Sequence, residues 1–326
     1  MRICLYGAGA VGGQIAGRLA GGSTEVSVVE RGPQLEAIRA YGLRVETHDG
    51  TLTSHPVTTD QPAELPPQDV VVVAVKAPIL PKIAEGVASL LHEDSLVLFV
   101  GNGLPWWYFH SEGGPLDGTQ LPRLDPDQVL WRAVGPQRAV GAVAYTAGSV
   151  VEPGVIRAEN PRNRLIIGRP DGKPDPRVDT LAALLSAGGM ETSVTPTIRD
   201  AVWAKMIVNL VGGALGILTL SPTRHALDKP AVARAAASMV EECAALARAL
   251  GCDPGDPAKA LSTLTGSGHL QSIAQDLEAG RLMEVDAFFT VPLELARLAK
   301  VPTPELDLVV ALATQRARAA GLYPDA

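Results

Sequence analysis

Three glycines near the start of the chain are spaced to cradle a phosphate. Gly7, Gly9 and Gly12 follow a short apolar run, Ile3 to Tyr6, and precede a stretch at helical spacing, Gln14 to Leu19. A second apolar run, Val26 to Val29, ends in Glu30. Strand, glycine turn, helix, strand, acid is the order of a dinucleotide-binding unit. In that reading Gly7 permits the tight turn, Gly9 lets the backbone approach a pyrophosphate, and Gly12 lets the helix pack close to the strand. The helix N-terminus then presents its N–H groups and positive dipole end to the phosphates. The spacing alone is a weak signal in a chain with 33 glycines, and a plain strand-to-helix turn is the alternative. Its place between a strand pattern and a helix pattern gives it weight.

Glu30 and Arg31 give opposite hints about the adenosine end. A carboxylate at Glu30 accepts hydrogen bonds from ribose hydroxyls and repels a 2′-phosphate, which favours NAD(H). A guanidinium at Arg31 pairs with such a phosphate, which favours NADP(H). Either side chain can instead point to solvent, and the sequence leaves the choice open.

A second group lies in the later part of the chain. Lys205 and Asn209 stand at i and i+4, so a helix places them on one face, among apolar neighbours. Taken alone, a lysine in that setting reads as a snorkelling surface residue. Farther on come Ser272, Asp276, Gly280, Arg281, Glu284 and Asp286. Taken alone, Glu284 and Asp286 read as a solvated helix start. His110 and His269 are the histidines nearest these groups, and no Cys, His and acid cluster has ligand spacing, so no metal site is expected. No nucleophile-elbow motif supports a hydrolase.

The elements that must carry these residues fall into two blocks. A β-branched run at Val70 to Val75 and another at Leu96 to Val100 read as buried parallel strands, with a crossover helix at Ala84 to Leu91 between them. Residues Gly113 to Pro136 are rich in Pro, Gly and Asp and read as a long loop. Short strands follow at Val140 to Tyr145, Gly154 to Arg157, Arg164 to Gly168 and Ser193 to Pro196, with a helix at Val178 to Ala187. From Ile198 onward only helices are expected: Arg199 to Leu218, Lys229 to Leu250, Ser272 to Ala279, Val285 to Ala299 and Pro304 to Ala320. The expected fold is therefore a Rossmann-type α/β domain over 1–192, a doubly wound and mostly parallel sheet, followed by an all-helical domain over 193–326.

Composition narrows the function classes. A net charge of −7 argues against a nucleic-acid partner, and no basic run would dock a membrane. The longest apolar stretch, Met206 to Leu220, is interrupted by Asn209 and glycines and reads as a buried helix rather than a span. Three cysteines, odd in number and without metal spacing, fit a reducing compartment, and no signal peptide is seen. A cytoplasmic location is the expectation.

Taken together the motifs resemble the ketopantoate reductase (2-dehydropantoate 2-reductase) family. The resemblance rests on Gly7, Gly9 and Gly12; Lys76 after the valine-rich strand; Asn102 with Gly103; Lys205 and Asn209; and Ser272, Asp276, Gly280, Arg281, Glu284 and Asp286. It runs nearly end to end. It implies reduction of a 2-oxo acid to a 2-hydroxy acid, with 2-dehydropantoate as the default substrate. It implies NADP(H) as cofactor, while Glu30 keeps NAD(H) nearly level. It implies Lys205 as proton donor and Glu284 as the carboxylate that binds the substrate hydroxyl and supports the lysine. Asn209 and Ser272 match substrate-binding positions, and Lys76 and Asn102 match positions near the nicotinamide, holding cofactor ribose and substrate.

The chain departs from the family in places. Where many members carry a second Asn one turn after the first, this chain has Gly213, so a hydrogen bond is missing or a bulkier substrate has room. Trp106, Trp107, Tyr108 and Phe109 cluster after the Asn-Gly turn, either walling a pocket, closing as a lid with the 113–136 loop, or packing under that loop or at a subunit interface. Phe288 and Phe289 follow Glu284 where smaller or polar residues are usual. Two alternatives follow: the same chemistry on a bulkier or aromatic oxo acid, and a dinucleotide-binding regulator without turnover. A homodimer is possible, with Leu210 to Leu220 as a surface or, equally, as core.

Overall fold

The computed structural model describes residues 1–22 and 24–324. The chain divides into two compact units. The first comprises Met1–Gly101 and Trp106–Ile198, and the second comprises Asn102–Pro105 and Arg199–Ala326. The short segment Asn102–Pro105 therefore belongs with the later helices, although the residues on both sides of it do not.

In the first unit β1 (Arg2–Tyr6), α1 (Ala10–Ala20) and β2 (Glu25–Val29) form the opening βαβ unit. Next come α2 (Gly32–Tyr41), β3 (Leu43–Thr47), β4 (Gly50–Ser54), β5 (Val57–Thr59), β6 (Gln68–Val73), α3 (Leu80–Ala88) and β7 (Leu91–Val100). After α4 (Val129–Ala133) come β8 (Ala139–Tyr145), β9 (Gly148–Glu152), β10 (Val155–Ala158), β11 (Arg164–Gly168), α5 (Pro176–Ala187) and β12 (Glu191–Val194). Among the described residues eight strands make one sheet in the order β12-β11-β8-β7-β6-β1-β2-β5. Its pairings are parallel except β8 with β11. Val70, Val71, Val72 and Val73 of β6 are almost wholly buried, as a central strand covered on both faces requires.

Four strands, β4-β3-β10-β9, make a second, smaller sheet that packs on α1. The sequence shows only its third strand. β4 carries no clear alternation because most of it is exposed, and β9 is likewise half-solvated. Ile156 of β10 lies against α1 where a Cβ on Gly13 would sit, so the small sheet closes over the helix without a side chain between them.

The 113–136 stretch is packed rather than loose. It folds the short helix α4, and Leu121, Leu124 and Leu130 are buried. Trp106 meets Phe99 edge-on at 5.4 Å and Trp131 of α4 at 6.2 Å. Trp106, Trp107, Tyr108 and Phe109 are all nearly inaccessible. Of the three readings of this aromatic cluster, packing beneath the loop is the one the side chains adopt.

The second unit is helical. Its elements are α6 (Ile198–Thr219), which starts one residue before the unit does, α7 (Thr223–Leu227), α8 (Pro230–Ala249), α9 (Pro257–Gly266), α10 (Ser272–Glu278), a π-helical turn (Asp286–Thr290), α11 (Val291–Leu298) and α12 (Pro304–Ala319). α6 is long and apolar, and Met206, Ile207, Leu210, Val211, Ala214, Leu215 and Ile217 are buried. Of the stretch considered as a dimerisation surface, Leu210 to Ile217 is internal core, and Leu220 at its end is exposed. Gly212, Gly213 and Gly216 let neighbouring segments approach α6. Cβ atoms there would meet Leu264 of α9 at 2.9 Å, Ile273 of α10 at 3.0 Å and Ala274 at 3.2 Å. The helix after Glu284 begins with a π turn, and α7 and α9 are short elements that periodicity does not reveal.

Candidate active site

The glycine turn in the first unit is built as its spacing predicts. Gly7 has φ +97°, a conformation that side chains rarely adopt. A Cβ on Gly12 would lie 2.0 Å from the Gly7 carbonyl oxygen, so helix and turn approach within a distance only glycine permits. A Cβ on Gly9 would meet nothing within 4 Å, so that face of the turn is open. Gly9 caps α1 without a side-chain hydrogen bond, and the first turn holds no acidic residue. A helix start with no side-chain cap and no acidic residue in its first turn fits a dinucleotide pyrophosphate.

Glu30 turns back onto this loop. Its Oε2 accepts the Ala8 N–H at 2.6 Å and its Oε1 accepts the Arg31 N–H at 3.0 Å. Gln34 Nε2 donates to the Ala8 carbonyl at 2.8 Å. Ala8 is therefore gripped on both sides of its peptide, and the carboxylate is fixed beside the glycine turn. Arg31 is exposed and opens α2 as its N-cap. Lys76 follows β6 and caps a single 3₁₀ turn, half-buried in the same unit.

The second group is assembled within the second unit. Lys205 lies midway along α6, and its Nζ donates to Asn102 Oδ1 at 2.7 Å. An ammonium has only donors, so the amide oxygen of Asn102 must face it. Burial pushes the Lys205 pKa down to about 8, while the negative charge of Glu284 pulls it partly back up. Glu284 is itself 8% exposed and sits just before the π turn. Asn209 is half-buried one helical turn beyond Lys205. Ser272 is the exposed first residue of α10.

Asn102 reaches the lysine because its own loop is docked. Gly103 has φ +79°, and a Cβ there would lie 2.7 Å from Ala287 backbone atoms. Leu104 N–H then donates to the Ala287 carbonyl at 2.9 Å. The Asn-Gly turn and the segment after Glu284 are thus one assembly around Lys205. The Asn-Gly pair was the available sequence signal for the turn; its docking partner had none.

The remaining motif residues hold the frame. Arg281 Nε pairs with Asp276 Oδ1 at 2.9 Å, and Arg281 N–H donates to the Asp276 carbonyl at 2.8 Å. With Gly280 at φ +61°, these bonds close the turn that leads from α10 to Glu284. Asp286 accepts the Tyr323 hydroxyl at 2.6 Å, a contact that sequence reasoning missed because Tyr323 lies far along the chain and in no motif. Gly213 faces Ile273 and Phe289, and an added Cβ there would crowd the Ile273 side chain at 3.0 Å.

Comparison with known proteins identifies the family. The family described as Ketopantoate reductase PanE/ApbA matches residues 3–111, and its C-terminal counterpart matches residues 197–317. A 2-dehydropantoate 2-reductase of Mesorhizobium japonicum is 39% identical, over 99% of this chain and 100% of that protein. A crystal structure from Ralstonia solanacearum, carrying the provisional name of a ketopantoate reductase, superposes with a TM-score of 0.92 at 34% identity, covering 99% of each chain. A D-mandelate dehydrogenase complexed with NADH and anilino(oxo)acetate shares the fold, with a TM-score of 0.83 at 18% identity over 99% of this chain and 100% of that one. By its motifs, its fold and its full-length similarity, the chain belongs to the ketopantoate reductase family.

Proposed function

We propose that this protein reduces a 2-oxo acid to the 2-hydroxy acid with a nicotinamide dinucleotide, and that 2-dehydropantoate is the substrate. The observation that carries the reading is Lys205, aimed by Asn102 at 2.7 Å and held at a pKa of about 8. Bound dihydronicotinamide supplies the hydride that adds to the carbonyl carbon. The oxygen of that carbonyl gains negative charge as the hydride arrives. Lys205 stabilises the charge and then gives up a proton to form the hydroxyl. At pH 7 an amine of pKa about 8 is still protonated about ten to one, so the donor is loaded, and it is a stronger acid than an exposed lysine. Glu284 keeps the lysine charged and accepts a hydrogen bond from the substrate hydroxyl. Asn209 and Ser272 hold the rest of the acid.

Glu30 bears on which dinucleotide is used. Its carboxylate is tied to the Ala8 N–H beside the glycine turn, where the adenosine ribose of such cofactors lies. A 2′-phosphate would bring a second negative charge to that spot, whereas ribose hydroxyls would donate to it. The reading is NADH in preference to NADPH, with Lys76 on the ribose and substrate side.

A bulkier substrate finds little support. Gly213 is filled by Ile273 and Phe289, and the tryptophan cluster packs on Phe99 and Trp131. Purified protein with 2-dehydropantoate and each reduced dinucleotide tests the proposal. Turnover that vanishes in Lys205→Ala, with dinucleotide binding retained, supports it. Activity surviving in that variant would remove Lys205 as donor, and dinucleotide binding without turnover of any oxo acid would return the protein to the regulator class.

A further inference from the structure

Tyr323 belongs to no motif, yet its hydroxyl touches both ends of the π turn that follows Glu284. It donates to Asp286 Oδ1 at 2.6 Å and lies 3.3 Å from Thr290 Oγ1. Asp286 and Thr290 are the first and last residues of that turn. The bond to Asp286 has the short O–H···O⁻ length of a charge-assisted hydrogen bond. The chain is brought back to make it. After α12, Gly321 adopts φ +70°, Gly321 N–H donates to the Arg318 carbonyl at 2.8 Å, and Leu322 N–H donates to the Ala317 carbonyl at 3.0 Å. Arg318 then lies over the Tyr323 ring, 5.4 Å from its centroid.

A π turn is a wide and uncommon stretch of helix, frequent where a helix serves a site. Here it carries three connections to the lysine. Glu284 precedes it by one residue, and its carbonyl accepts the Phe288 N–H from within the turn at 3.1 Å. The carbonyl of Ala287 receives the Leu104 N–H that docks the Asn102 loop. Phe289 packs against Gly213 on α6, the helix that bears Lys205. A phenol that staples the two ends of this turn fixes all three.

We propose that Tyr323 is a positioning residue for the reaction, holding Glu284 and the Asn102 loop against Lys205 through its hydrogen bond to Asp286. This rests on the proposed role of Lys205 as proton donor. Tyr323 acts through the turn, whose register its bonds to Asp286 and Thr290 set.

The test compares Tyr323→Phe with the parent protein in kcat, KM and pH profile, alongside dinucleotide affinity by fluorescence and thermal melting. The expected result is a kcat lower by roughly three- to tenfold, part of the worth of one charge-assisted hydrogen bond. Dinucleotide affinity stays unchanged. The alkaline limb of the profile moves to lower pH, because Glu284 set farther from Lys205 no longer supports its charge. Asp286→Asn, which keeps an oxygen for the phenol, retains more activity than Asp286→Ala, and Asp286→Ala combined with Tyr323→Phe is no worse than either alone. A Tyr323→Phe protein with unchanged kcat and pH limb overturns the proposal. So does a loss that merely tracks a lower melting temperature, or an Asn variant as impaired as the Ala one. Lys205→Ala run in the same assay separates the two ideas: retained activity there refutes the donor assignment, whatever Tyr323 does.

Discussion

The Glu30 carboxylate accepts the Ala8 backbone N–H at 2.6 Å, so the acid that ends β2 is anchored to the glycine turn rather than left in solvent. The anchoring predicts how cofactor choice responds to mutation. Glu30→Gln keeps an oxygen for Ala8 but removes the charge. It should shift the ratio of kcat/KM for NADH over NADPH toward NADPH by about tenfold, roughly 1.4 kcal/mol. Arg31→Ala should weaken NADPH use further and leave NADH nearly untouched. A ratio that Glu30→Gln does not move would mean that the carboxylate never faces the ribose.

Two of the motif glycines, Gly12 and Gly9, should separate cleanly. At Gly12 an added methyl meets the Gly7 carbonyl oxygen at 2.0 Å, so Gly12→Ala must displace backbone. A large loss of stability is expected, about 3 kcal/mol or more, read from denaturant unfolding. At Gly9 an added methyl meets nothing within 4 Å. Gly9→Ala should melt like the parent protein while its dinucleotide affinity drops, because the methyl occupies the approach of the pyrophosphate.

Lys205 links activity and stability to pH in opposite senses. As the proposed proton donor it must be charged, so kcat/KM should be level below its pKa of about 8 and fall about tenfold per pH unit above it. Folding sees the reverse. The pKa is lowered from 10.5 in the folded protein, so between about 8 and 10.5 the unfolded chain binds more protons than the folded one. This group therefore adds stability as pH rises through that window, and its charge costs stability below it. Lys205→Met should be inactive yet melt at or above the parent temperature near neutral pH. A lower melting temperature would show that the Asn102 contact outweighs the cost of burial.

Gly213→Asn is the natural attempt to restore the family's second asparagine. Its Cβ would lie 3.0 Å from Ile273 Cγ2 and 3.5 Å from the Phe289 ring. Overpacking of about 1–3 kcal/mol is expected, with no gain in KM for the oxo acid. If KM improved and stability held, the space assigned to Phe289 would belong to the substrate instead.

How far the sequence could be read depended on the range of the forces involved. The glycine turn, the valine-rich strands and the apolar face of α6 are local patterns, and local sterics and burial decide them. The small sheet β4-β3-β10-β9 was mostly invisible because its outer strands, exposed at Leu52, Val150 and Val151, lack a clear buried face. Lys205, Asn209, Ser272 and Glu284 were legible as a pattern of types and intervals. Their contacts were not. The approach of Asn102 to Lys205 and of Tyr323 to Asp286 joins residues 103 and 37 positions apart, and no interval in the chain encodes either. The aromatic run at Trp106 to Phe109 was conspicuous for the opposite reason: rarity drew attention to residues whose task is packing.

The membership of Asn102–Pro105 in the second unit has a consequence for how the protein could be divided. A chain begun at Arg199 would contain every helix of that unit and the lysine, yet lack the acceptor for its Nζ and the N–H that satisfies Ala287. The piece that completes the lysine's surroundings is therefore not contiguous along the chain with the helices that carry it.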